Sequence, residues 1–112
     1  MLVGYPKAAR PFYTMEDPND SRYTNSYDIF MRGEEIISGA QRVHIPEILE
    51  KNAKEKGMNL ELIKDYIDAF RFGAPPHGGV GIGLERIAKL FTGLKDIRKC
   101  CLFPRDPKRL AP

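Results

Sequence analysis

Three glycines spaced two residues apart constrain this chain more than any other feature. In Gly78-Gly79-Val80-Gly81-Ile82-Gly83-Leu84-Glu85-Arg86-Ile87-Ala88-Lys89-Leu90-Phe91, small and apolar residues alternate as far as Leu84. Leu84, Ile87, Ala88 and Phe91 then fall at helical spacing. The stretch reads as a short strand that turns into a helix. Glycine at 79, 81 and 83 strips one strand face of side chains, at a cost of about 0.5–1 kcal/mol each. What remains is a flat backbone surface open to a planar ligand. Arg86 follows at once, a planar cation able to cover a base or grip a phosphate. A dinucleotide fingerprint fails, because Gly81-x-Gly83-x-x is followed by Arg86. A phosphate loop fails for want of Gly-Lys-Ser/Thr. A glycine bulge with another backbone packed close remains open.

The rest of the chain narrows the class. Its 112 residues suit one small domain or a piece of a larger one. Hydrophobic content of 42% and charged content of 29% describe a globular chain, not a disordered one. A net charge of +3 is too mild to mark a nucleic-acid binder. Cys100 and Cys101 are adjacent, which disfavours a disulfide, and no CxxC spacing offers a zinc site. Reduced thiols in a cytosolic setting follow. No apolar run approaches the ~20 residues that span a membrane, and the start carries no leader pattern. Leu2-Val3 runs straight into strand-like sequence, as in a piece cut from a longer protein.

In chain order, Lys7 to Met15 reads as a strand on an irregular or edge path because of Pro11. Residues 16–21 form a loop by composition. Ser26 to Met31 and Glu34 to Val43 flank Arg32-Gly33 and read as a hairpin. A two-residue turn there sets Phe30 opposite Glu35, with Asp28 diagonal to Glu35 on the same face, roughly 7–8 Å away. Two carboxylates on one face are costly unless a cation lies between them. Strict alternation puts Glu35 and Arg42 on opposite faces; one extra residue, expected at Ser38-Gly39, restores them to one. A solvated face with an ion pair is the competing reading of Asp28, Glu35 and Arg42.

Pro46 opens a helix running to Lys56, with Gly57 as its cap. Leu60, Ile63, Tyr66, Ile67 and Phe70 mark the apolar stripe of a second helix. His77 sits in the loop before the glycine strand, where a ligand contact competes with an ordinary surface role. Thr92-Gly93 ends the last helix. The proline-broken segment from Leu102 to Leu110 is extended and basic, and its charges read first as solvated surface. The fold class is α+β: an antiparallel sheet with flanking helices packed on it.

Ala9-Arg10-Pro11-Phe12-Tyr13, Ser26-Tyr27-Asp28, Gly33 to Arg42, Phe70-Arg71-Phe72-Gly73, the glycine stretch and Phe103-Pro104-Arg105-Asp106-Pro107 together resemble the aspartyl-tRNA synthetases, class II enzymes of the eukaryotic cytosolic and archaeal type. The glycine stretch looks like their motif 3. The resemblance implies that residues 1–112 are the carboxy-terminal part of a catalytic domain. The anticodon-binding barrel, motif 1 and motif 2 are then absent from it. It further implies ATP and magnesium as cofactors, and L-aspartate and tRNA(Asp) as partners. A homodimer in the full enzyme and a cytoplasmic location follow on the same ground.

By position, Asp28 and Glu35 resemble the magnesium carboxylates, assisted by Ser38. Arg42 resembles the arginine that grips the aspartate side chain. Gly83 resembles the glycine lying against adenine, and Glu35 belongs with it on the ATP side. Arg86 resembles the catalytic arginine covering the adenine ring and reaching the γ-phosphate. Two alternatives stand beside this: an asparagine-handling synthetase or amide-forming relative, and a non-catalytic binding module. Without motif 2, the chain alone is expected to be inactive.

Overall fold

The computed structural model describes residues 1–110; Ala111 and Pro112, the end of the expected 1–112 unit, lie outside the described residues. Four antiparallel strands form one sheet in chain order: β1 (Leu2–Val3), β2 (Ser26–Met31), β3 (Glu34–Arg42) and β4 (His77–Ile82). No parallel crossover occurs among them, so the α+β expectation holds. The β2–β3 hairpin turns through Arg32 and Gly33, both at positive φ (51° and 85°). That backbone twist matches the twist of the flanking strands, and glycine makes half of it cheap. Met31 pairs with Glu34 and Phe30 with Glu35, as the two-residue turn requires.

Between β3 and β4 the chain makes α1 (Pro46–Glu55), a 3-10 turn (Leu60–Ile63) and α2 (Lys64–Arg71). Pro46 stands in the first helical turn of α1, where a missing N–H costs nothing. Gly57 follows that helix at φ 70°. After β4 comes α3 (Leu84–Thr92), capped by Gly93 at φ 74°. The expected second helix is thus shorter than its apolar stripe: its first turn is 3-10, capped by the Asn59 side chain.

Two expectations are corrected here. Lys7 to Met15 is not a strand. Lys7–Ala9 is a 3-10 turn, and the segment's one backbone bridge to the sheet is Thr14 with Arg42. Pro6 and Pro11 remove two donors that a ladder would need. The helices also do not cover the sheet face. One buried cluster consists of Val43, Leu49, Ile67 and Phe70, with Phe12, Tyr13, Met15, Leu60, Ile63 and Ala74 packed around it, and contains no residue of β1–β4; Ile36 of β3 and Leu90 of α3 are buried apart from it. Phe12, Tyr66 and Phe70 meet edge-to-face along it. The helices α1 and α2 therefore pack beside the sheet, on the segment that ends at Met15, whereas α3 meets β3, with Lys89 Nζ 2.6 Å from Glu34 Oε1. Val80 and Ile82, on the opposite face of β4 from the site described next, are more than half exposed.

Candidate functional site

Register decides which side chains share a face. Asp28 lies opposite Ser38, Ser38 opposite Gly81, and Arg42 opposite His77. Alternation from Ser38 through Ala40 to Arg42 puts these on one face of β3. Glu35 joins them because the pairing slips: Ile37 faces Ile29, but Glu35 faces Phe30, so Ile36 is the extra residue. The bulge that unites Glu35 with Arg42 exists, but at Ile36 rather than at Ser38-Gly39. The Ile36 carbonyl, pushed out of register, accepts from the Gly83 amide at 2.9 Å. Gly39 has another reason to be glycine. A Cβ there would lie 2.5 Å from the Tyr27 ring, which covers it.

The two carboxylates have different surroundings. Asp28 is buried. Arg10 donates from Nη2 to Asp28 Oδ1 at 2.8 Å and from Nη1 to Ser38 Oγ at 2.9 Å. The Tyr5 ring lies 4.0 Å from the same guanidinium. Burial would raise the Asp28 carboxyl, but hydrogen bonds from Arg10, Ser38 and Tyr5, with the Arg10 charge, outweigh it and hold it below the ordinary value. Glu35 is 41% exposed in its side chain, and its nearest cation is Arg86 Nη1 at 3.8 Å. Arg86 also donates to the Glu35 backbone carbonyl at 2.6 Å, which folds its guanidinium back onto β3. The cation that two converging carboxylates demand is therefore supplied twice, by Arg10 and by Arg86.

Among the described residues Arg42 has no acidic partner. Its guanidinium lies 4.5 Å from the Tyr13 ring centroid and passes over Gly79, where a Cβ would sit 2.1 Å from its Nε. Gly79 thus leaves room for a cation, not a bulge. Gly81 has nothing nearer than 3.9 Å, so that part of the strand is open. Gly83 precedes α3, and a Cβ on it would meet Arg86 and the Ile36 carbonyl at 3.5 Å. His77, on the same face, stacks on Phe70 and bonds the Pro75 carbonyl through Nδ1 at 3.0 Å. The core holds it.

Two clefts meet on this face. One, of about 300 Å³, is lined by Arg10, Tyr13, Thr14, Ser38 and Arg42 over Gly79. The other, of about 440 Å³, is lined by Glu35, Gly83, Glu85, Arg86 and Ile97. Ser38 and Gly81 belong to both. Each is the size of a small-ligand site. A larger hollow of about 510 Å³ runs from Pro76 to Tyr27, Gln41 and Val80 and carries no charged side chain. The structure therefore brings Asp28, Glu35, Ser38, Arg42, Gly83 and Arg86 onto one surface. Sequence reasoning did not single out Arg10, Tyr5 or Tyr13. The signal available was the uncompensated carboxylate pair itself.

At the chain's end, Arg98 pairs with Asp96 and with Asp106 at 3.0 and 3.1 Å, and Asp106 and Arg109 exchange backbone bonds. The basic segment is folded back on itself rather than extended. Cys100 and Cys101 are free thiols.

The sequence matches the family model for tRNA synthetases class II (D, K and N) over residues 1–107. It is 63% identical over its whole length to the cytoplasmic aspartate--tRNA ligase of Homo sapiens and covers 22% of that protein. Its fold superposes on a putative aspartyl-tRNA synthetase from Leishmania major with a TM-score of 0.92 and 57% identity, covering 98% of this chain and 22% of that one. An asparaginyl-tRNA synthetase from Pyrococcus horikoshii, complexed with asparaginyl-adenylate, matches with a TM-score of 0.89 and 41% identity, over 98% and 26% of the two chains. The chain spans about a fifth of the length of the curated relatives it matches.

Proposed function

This chain belongs to the class II tRNA synthetases (D, K and N), and from that premise we propose that it is part of an enzyme that activates L-aspartate with ATP and transfers it to tRNA(Asp). It supplies the carboxy-terminal part of the catalytic domain, with motif 3 at Gly78 to Phe91. The cytoplasmic naming of the relatives supports a cytoplasmic enzyme. A homodimer of the full protein belongs to the same reading.

The observation that carries the aspartate assignment is Arg42. A guanidinium stacked on Tyr13 in a cleft, with no carboxylate of its own among the described residues, is matched by a ligand carboxylate. It has five donors and no acceptor, so it pairs with a side-chain carboxylate better than with an amide. That separates aspartate from asparagine, the substrate class of the asparaginyl relative.

The reaction needs no protein nucleophile. A carboxylate oxygen of aspartate bonds to the α-phosphorus of ATP, the bond to the α–β bridging oxygen breaks, and pyrophosphate leaves. The protein's task is to bring two anions together and to hold the leaving charge. Arg42 orients the amino acid. Gly81 and Gly83 leave a flat floor for adenine, and Arg86 is close enough to swing from Glu35 to a ring or a phosphate. Asp28, Glu35 and Ser38 are hard oxygen donors on one face, and no cluster of three His, Cys, Asp or Glu side chains forms among the described residues. That set fits magnesium, which takes one or two carboxylates and completes its shell with phosphate and water. When bound, the ion supplies charge neutralisation on the phosphates.

The test is aspartate-dependent pyrophosphate exchange by the full-length enzyme. Arg42→Leu should lower the use of aspartate by about 10²-fold or more, since an unpaired site rejects its ligand strongly, while ATP affinity changes little. Equal losses for aspartate and ATP would make Arg42 structural. This chain alone should show no exchange, because losing a preorganised charge-stabilising donor costs ~10²–10³ in rate and the motif 2 arginine lies outside it. Exchange by the isolated chain near the full rate would refute the assigned boundary. A full-length protein without exchange would favour a binding module.

A further inference from the structure

We propose that the metal cradle is pre-neutralised by its own arginines, so that it binds a free divalent cation poorly and takes one well only together with a polyphosphate; Arg10 is the positioning residue that enforces this. The inference rests on the reading of Asp28, Glu35 and Ser38 as the magnesium ligands.

Each cradle carboxylate already has a guanidinium. Asp28 is bound by Arg10 at 2.8 Å, with 7% and 11% of the two side chains exposed. Glu35 faces Arg86 at 3.8 Å, with both about half exposed. The two pairs cancel charge for charge. Glu85 lines the same cleft but makes no three-carboxylate cluster with them. A free cation entering here meets little net negative charge and must share Asp28 with a fixed cation.

The two arginines are not equally replaceable. Arg86 is long, exposed and weakly paired, and can leave Glu35 for a phosphate. Arg10 cannot leave. It bridges Asp28 and Ser38, which face each other directly across β2 and β3. Tyr5 caps it, and its Nε is buried with no partner. Arg10 therefore holds Asp28 Oδ1, and Asp28 accepts from the Ser38 and Tyr5 hydroxyls as well. Ser38 Oγ accepts from Arg10, donates to Asp28 and lines both clefts. Arg10 thus orients two ligands while lowering the attraction for a bare ion. A polyphosphate reverses the balance, because it brings its own negative charge and draws Arg86 away from Glu35.

The experiment uses the full-length enzyme with Mn2+ as the probe. Free Mn2+ is followed by electron paramagnetic resonance, with and without a non-hydrolysable ATP analogue. The parent should bind Mn2+ far more tightly with the analogue than without it. Arg10→Gln should bind Mn2+ in the absence of nucleotide at least about tenfold more tightly than the parent, because a buried carboxylate has lost its only cation. Mn2+ should also raise its melting temperature more than the parent's. Arg10→Lys, which keeps the charge, should stay near the parent. Arg86→Gln, at an exposed position that does not threaten folding, should gain a smaller factor of roughly threefold for the same electrostatic reason. Unchanged nucleotide-free Mn2+ affinity in Arg10→Gln overturns the proposal. If that variant does not fold, unchanged affinity in Arg86→Gln overturns it. Glu35→Gln reports separately on the underlying reading. Unaltered Mn2+ binding in the presence of the analogue would remove Glu35 as a ligand, whatever Arg10 does.

Discussion

The two ends of the site face solve one electrostatic problem in opposite ways. At the Arg42 end, Arg10, Asp28, Ser38, Tyr5 and Tyr13 are packed and hydrogen-bonded, and Arg42 fills the space left by Gly79. At the Arg86 end, Glu35 and Arg86 are half exposed, loosely paired, and set beside Gly81, where a Cβ would meet nothing nearer than 3.9 Å. Each end sets an arginine beside a carboxylate, Arg10 on Asp28 and Arg86 on Glu35. Burial is what differs. A buried pair is held by the cost of separating it, whereas an exposed pair is worth little and rearranges freely. The first end is built to keep one shape, and the second to change partners when a ligand arrives.

Breaking each pair should give the largest contrast. Arg10→Leu leaves Asp28 buried and unpaired, and should cost about 3–5 kcal/mol of stability, whereas Arg86→Leu should cost less than about 1 kcal/mol. Denaturant unfolding of the full-length protein measures both. Equal losses would mean that the two ends are not distinct.

Acid should act chiefly on the packed end. The Asp28 carboxyl is held below its ordinary value in the folded state, so the unfolded chain takes up its proton at higher pH than the folded one. Its contribution is complete above the ordinary carboxylate pKa of about 3.9 and is lost as pH falls through the lower folded value. Asp28→Asn should flatten that part of the stability–pH curve. An acid limb of unchanged steepness in the variant would show that Asp28 contributes nothing to it.

The glycines give the smallest and most local comparison. Gly79→Ala drives a methyl group into the Arg42 guanidinium, 2.1 Å from Nε. The side chain can swing away, so stability should fall by under about 1 kcal/mol, while aspartate binding in the full enzyme weakens. Gly81→Ala meets nothing within 3.9 Å and should leave aspartate binding intact. Titration of aspartate against both variants decides the matter. Equal effects would mean that Gly79 is not reserved for Arg42.

Much of this was legible along the chain because its causes are local. Arg32-Gly33 can adopt positive φ on both residues, Pro46 suits a first helical turn, and Gly57 and Gly93 stop helices. Ile67 and Phe70 become core because their spacing matches a helix turn. The candidate ligands Asp28, Glu35, Ser38, Arg42, Gly83 and Arg86 were named by resemblance to the aspartyl-tRNA synthetases; register carries Asp28, Glu35, Ser38 and Arg42 to one face, and the start of α3 brings Arg86 to Glu35. The bulge was misplaced because Ser38-Gly39 looks like a bulge in sequence. Gly39 is glycine for Tyr27, a residue of the neighbouring strand.

What the sequence determined by itself is therefore periodicity, turn chemistry, fold class and a demand for positive charge beside two carboxylates. These follow from the conformational preferences of residues within a few positions of each other. Which cation answers that demand was decided only by the tertiary structure. Arg10 reaches Asp28 across 18 positions and Ser38 across 28, and Arg86 reaches Glu35 across 51. Contacts at such separations depend on how a proline-bent segment and a helix start dock against the sheet. No local preference encodes that docking; it is set by the burial and charge pairing of the whole chain.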